Sequence, residues 1–147
     1  MKLTAFALAL VFAATLVLMN LPAPTQASVK DDTPLADQML EIQGILKKIR
    51  RSVRKPEQNE ESLQLANDLV KGMLASRLMP PPMLEKIPAD QKDAFRAGYR
   101  KMMAETAKMV LDLEIAILDG DNDKAQELYK QIADMEEKGH AKYTEGG

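Results

Sequence analysis

Cysteine and tryptophan are absent from this sequence, and histidine occurs once. Without cysteine there are no disulfides, no thiol catalysis, no iron–sulfur cluster and no Cys-x-x-Cys-His attachment of a c-type haem. One histidine without cysteine leaves no conventional nucleophile–base pair. It also excludes a di-iron bundle, which needs a Glu-x-x-His on each of two helices. No glycine-rich phosphate loop occurs. Aromatics are few, and β-branched residues are too sparse for a β domain. The carboxylates fall on polar faces, where solvated surface is the simple reading.

What is there is Leu, Met, Ala, Glu and Lys, which are helix formers. The 147 residues suit one domain. Its first stretch reads differently from the rest. Lys2 is followed by an uncharged, apolar run from Leu3 to Met19, then by Asn20, Pro22 and Pro24, and by Thr25-Gln26-Ala27 before Ser28. This is the layout of a secretory signal peptide, residues 1–27, with cleavage expected after Ala27 and export to the periplasm. An uncleaved anchor is the alternative, because the run approaches the ~17–25 residues that span a bilayer. The prolines and the small residue that follow favour cleavage. Loss of Lys2 leaves 19 basic residues against 22 acidic ones. A chain of net charge −3 has no general electrostatic reason to bind nucleic acid, and no membrane contact is expected after cleavage.

Residues 28–147 carry four amphipathic stretches. The first is expected from Pro34 to Lys55, capped by Thr33, with Leu35, Met39, Ile42, Leu46, Ile49 and Val53 stepping by four and three. Lys47, Lys48, Arg50, Arg51, Arg54 and Lys55 crowd its second half, as a solvated helix end or as a docking surface for an acidic partner. The second runs from near Asn59 to Met79, with Leu63, Ala66, Leu69, Val70, Met73 and Leu74 inward. Pro80-Pro81-Pro82 stops it and opens an apolar loop to Ala89. Asp90 is expected to cap the third, with Asp93 in a capping-box position. Its inner face is Phe95, Tyr99, Met102, Thr106, Met109, Leu113 and Ala116. Asp119-Gly120 marks a turn. Asp121 or Asn122 then caps the fourth, whose stripe is Ala125, Leu128, Ile132, Met135, Gly139 and Tyr143. The expected fold is all-α, an antiparallel up-down-up-down four-helix bundle.

At 100° per residue, His140 lies about 80° from the middle of the fourth stripe. Alone it reads as a border residue, and Met39 alone reads as core filler. The topology pairs them: the start of the first helix and the end of the fourth share a pole. A thioether and an imidazole on facing helices can ligate a haem iron from both sides, a pairing associated with electron transfer at raised potential. Leu78, Met79, Phe95, Tyr99 and the proline loop are expected at that pole, as walls for a flat apolar macrocycle.

Three stretches carry a family resemblance: LADQMLEI, the Pro-Pro loop leading to KDAFRAGY, and DKAQELYKQIADMEEKGHAKY. Over about Leu35 to Tyr143 the chain resembles the soluble cytochrome b562 family of periplasmic haem proteins. The resemblance implies one non-covalent haem b. Its axial ligands would be Met39 and His140, with Phe95 and Tyr99 beside it. It also implies electron transfer to a redox partner protein, and no enzymatic activity, since both axial positions are filled. The chain departs from the family's best-known members at three positions. Glu136 and Thr144 stand where those carry arginines near the haem edge, and Gly139 replaces an aromatic. Two other readings stand beside this one. One is a haem-free binding or stress-related bundle. The other is a Met-rich copper carrier, since thioethers suit Cu(I). The copper reading needs several methionines converging at an accessible site, whereas Met73, Met102, Met109 and Met135 read as buried seam residues.

Overall fold

The computed structural model describes residues 33–144. The expected leader, residues 1–27, lies outside them. Four α-helices carry the architecture: α1 (Pro34–Ser52), α2 (Asn59–Ser76), α3 (Lys92–Leu118) and α4 (Asn122–Tyr143). Short 3-10 turns at Pro56–Gln58 and Pro82–Lys86 lie in the first two connections. Among the described residues there is no strand, and no helix is long and apolar enough to cross a membrane. Helices adjacent in sequence pack on one another, and α4 closes the ring against α1. The protein is therefore the expected antiparallel four-helix bundle.

Local chemistry sets the helix ends. Thr33 caps α1 by accepting the Ala36 N–H at 3.2 Å, with Pro34 in the first turn. The helix stops at Ser52, short of the expected Lys55. Pro56 forces Lys55 into extended backbone (φ −128°, ψ 101°), because a residue before proline is excluded from the helical region. α2 stops at Ser76, short of the expected Met79. Its last carbonyls are closed by tightened bonds from Leu78 to Ala75 and from Met79 to Ser76 before the prolines begin. The expected Asp90 cap of α3 is not formed. Asp90 lies inside a turn closed by Gln91 N–H donating to the Pro88 carbonyl, so Gln91 takes the cap position without a side-chain bond. Asp93 instead pairs with Arg96 at 3.1 Å. Asp121 caps α4 through the Lys124 N–H at 2.9 Å. The α3–α4 turn needs Gly120, whose φ of +72° suits glycine alone.

Each helix sends one large side chain to the centre. Ile49, Leu69, Leu113 and Ile132 are all fully buried, and all lie on the predicted stripes. Ile45, Leu65, Ala107, Val110 and Ile117 join them, so each buried face is broader than a two-position seam. Leu74, expected inside, is 42% exposed. α1 and α2 approach closely at Gly72, where an added Cβ would sit 3.1 Å from Ile42 Cγ1. Below the central layer Ser62 donates to Ser52 at 2.7 Å, so this buried polar pair satisfies itself. The basic half of α1 is exposed.

The central layer makes a stability prediction. Ile49→Ala should cost about 2–5 kcal/mol, because it opens a cavity where the surroundings cannot collapse. Leu118→Ala, at a position 65% exposed, should stay within about 0.5 kcal/mol. Urea unfolding of the two variants measures both, and equal losses would show that the centre is not where the packing energy lies.

Candidate functional site

The pole where α1 begins and α4 ends is built differently from the middle. An apolar recess of about 80 Å³, partly open to solvent, opens there. α1 supplies Leu35, Met39, Ile42 and Leu46 to it, and α4 supplies Met135, Glu136, Gly139, His140 and Tyr143. α2 contributes Met73, and the proline loop contributes Pro81 and Pro82. α3 adds Tyr99, Met102, Met103 and Thr106. The recess forms where the ring is least tightly closed, since α1 and α4 make the sparsest contact of the four neighbouring helix pairs.

Met39 and His140, the paired ligands read from the sequence, both line this recess, and both are half-buried. The His140 imidazole has no hydrogen-bond or ion-pair partner among the described residues. The residue's carbonyl, by contrast, accepts from the Thr144 N–H at 3.1 Å and the Thr144 hydroxyl at 2.8 Å, which closes the end of α4. The backbone at His140 is thus held while its ring nitrogens stay uncommitted.

The aromatic residues form a buried wedge behind the recess. Tyr143 meets Phe95 edge-on at 5.0 Å and Tyr99 at 5.3 Å between ring centroids. Gly98 lets Tyr143 come this close: a Cβ there would stand 3.1 Å from the Tyr143 hydroxyl. Tyr99 lines the recess as expected, with its hydroxyl donating to the Ser76 carbonyl at 3.0 Å. Burial pushes its phenol up to about 12, so it stays a neutral donor. Phe95 does not line the recess. It packs against Tyr143 from the far side, in the second apolar cluster with Leu35 and Met79. Leu78, expected as a wall, is 65% exposed and does not contribute.

The sequence pattern missed Met102, Met103 and Met135 as lining residues. Met102 and Met135 are half-buried at the recess rather than sealed in the core, while Met109 packs against the central cluster and Met73 is buried yet reaches the lining. Helical period identifies the inward face of each helix. It does not reveal where two such faces fail to meet. Glu136, the single acidic residue in the lining, stands one turn before His140. No group of three or more His, Cys, Asp or Glu side chains capable of holding a metal occurs among the described residues.

Comparison of the chain with protein-family models, with curated proteins and with solved structures returned no match.

Tyr99 yields a prediction about the wedge. Its phenol has a usual pKa of 10.0 and is raised in the folded chain, so the unfolded chain loses that proton first. The contribution is complete below pH 10 and is lost as the pH rises toward about 12. Tyr99→Phe should flatten this alkaline loss and cost about 1 kcal/mol at neutral pH, through the missing bond to Ser76. Thermal melts from pH 8 to 12 follow both effects.

Proposed function

We propose that the mature chain is a periplasmic b-type cytochrome that holds one non-covalent haem in the apolar recess at this pole, with Met39 and His140 as its axial ligands. The observation that carries this reading is that these two side chains, from α1 and α4, line one apolar recess. The closed recess holds only about 80 Å³, below the roughly 300–1,000 Å³ usual for cofactor sites, so haem entry requires α1 and α4 to part. The donors fit. Thioether and imidazole are a known axial pair, the His140 ring has no competing partner among the described residues, and the nearby Tyr99 phenol is neutral and already bonded.

Each lining element has its own task. Thr144 and the last turn of α4 fix the backbone that presents His140. Met39, near the start of α1, lines the same recess from the helix that packs most sparsely on α4. Leu35, Ile42, Pro81 and Tyr143 exclude water from the faces of a bound macrocycle. Bound there, with both axial positions filled, a haem would supply one-electron exchange with a partner protein, so the reading is a carrier and not an enzyme. Glu136, in place of a basic residue, leaves the rim without a cation for the propionates and would lower the affinity for haem. Export through the leader at residues 1–27 would deliver the chain to the periplasm.

Haem titration of the mature chain tests the proposal. One equivalent should be taken up to give a six-coordinate low-spin reduced spectrum. His140→Ala and Met39→Ala should each abolish that spectrum while the bundle still melts cooperatively. Glu136→Arg should tighten binding severalfold. A folded chain that remains colourless with haem supplied would sink the reading.

A further inference from the structure

Five of the eight methionines that follow residue 27 converge on one recess: Met39, Met73, Met102, Met103 and Met135, with the sole histidine beside them. A haem uses one thioether and one imidazole, so four methionines have no role in that chemistry. Thioethers are weak acceptors, and none of these five accepts a hydrogen bond among the described residues. Two of the lining hydroxyls are held by backbone. The Tyr99 hydroxyl donates to Ser76, and the Thr106 hydroxyl donates to the Met102 carbonyl at 2.9 Å. Met102 from α3 is laid against α4 at Gly139, its Sδ 3.4 Å from where a Cβ there would stand.

We infer that the haem-free chain binds a single Cu(I) ion in this recess, on the thioethers of Met102, Met103 and their neighbours together with His140. The donor set selects the ion. Magnesium and calcium need oxygen ligands, and zinc prefers thiolate, imidazole and carboxylate, whereas the described residues hold no cluster of those groups. Thioethers are soft and favour Cu(I). The ligands are neutral, and the one carboxylate in the lining, Glu136, matches a single positive charge. Methionine side chains have three rotatable bonds, so they can turn toward an ion without moving a helix. The inference does not rest on the haem reading. The two ligands share the recess and His140, so each excludes the other.

The test is an anaerobic titration of the haem-free mature chain with Cu(I) against a chromophoric Cu(I) chelator. The chain should withdraw one equivalent, and X-ray absorption at the copper edge should show a shell dominated by sulfur. The Met102→Leu/Met103→Leu double variant should lose at least tenfold in affinity. Leucine conserves the volume, and circular dichroism melts of both proteins check the fold. The inference is overturned if the chelator keeps the copper, if the double variant binds as tightly as the parent, or if the copper shell holds only nitrogen and oxygen. Adding haem to the same samples separates the two readings. A chain that takes up haem but leaves Cu(I) on the chelator sinks only this inference, and one that binds Cu(I) while remaining colourless with haem sinks only the cytochrome.

Discussion

The contact between α1 and α4 is the constraint on which the rest of the structure depends. Three of the four neighbouring helix pairs follow one another in the chain and pack along their length, whereas α1 and α4 meet only by closing the ring. In the middle of the bundle that closure is sound, because Ile49, Leu69, Leu113 and Ile132 fill the axis completely. Toward the pole where α1 begins, methionines and Gly139 join the branched aliphatics, and a recess opens. Flexible, unbranched side chains follow irregular gaps and adapt to what enters them. The recess thus lies at the weakest interface and is lined by side chains that can adapt.

The two poles accordingly do different work. At the far pole the Ser52–Ser62 hydrogen bond, the Pro56 turn and the Gly120 turn close the bundle. At the near pole the Phe95–Tyr143–Tyr99 wedge anchors the last turn of α4 to α3, while the Tyr99 hydroxyl ties α3 to the end of α2. That bracing holds the backbone of His140 on one side of an interface that is otherwise free to open. A ligand site benefits from such a combination, since rigid supports with an adaptable lining limit the ordering cost of binding.

Much of this was legible in the sequence, for definable reasons. The four-three stepping located the central layer, since burial there depends on each helix's own periodicity. The shared pole of Met39 and His140 followed from helix order and short connections. Other features depend on neighbours and were not legible. Ile45 and Leu65 are buried because each helix touches two others, which widens its buried face. Met103 lies beside the predicted position at Met102, and only the failure of α1 and α4 to meet brings both into the lining. Asp90 matched a capping pattern, yet the turn from Pro88 to Gln91 had already committed that segment. Phe95 sits at the right pole but behind Tyr143, a distinction of depth that periodicity does not carry.

The same depth distinction sets the chemistry. Thioethers, one imidazole and one carboxylate line the recess, while the Tyr99 and Thr106 hydroxyls are turned to backbone carbonyls. Such a lining suits a cofactor or ion bound by soft and borderline donors, and Met39 with His140 is the pair that spans the open seam. A crystal structure of the mature chain grown with haem tests this claim most directly. The account predicts a single haem between α1 and α4, its iron bonded to Met39 Sδ and to one ring nitrogen of His140. A haem bound elsewhere, or held in the recess by any other pair of residues, would contradict it.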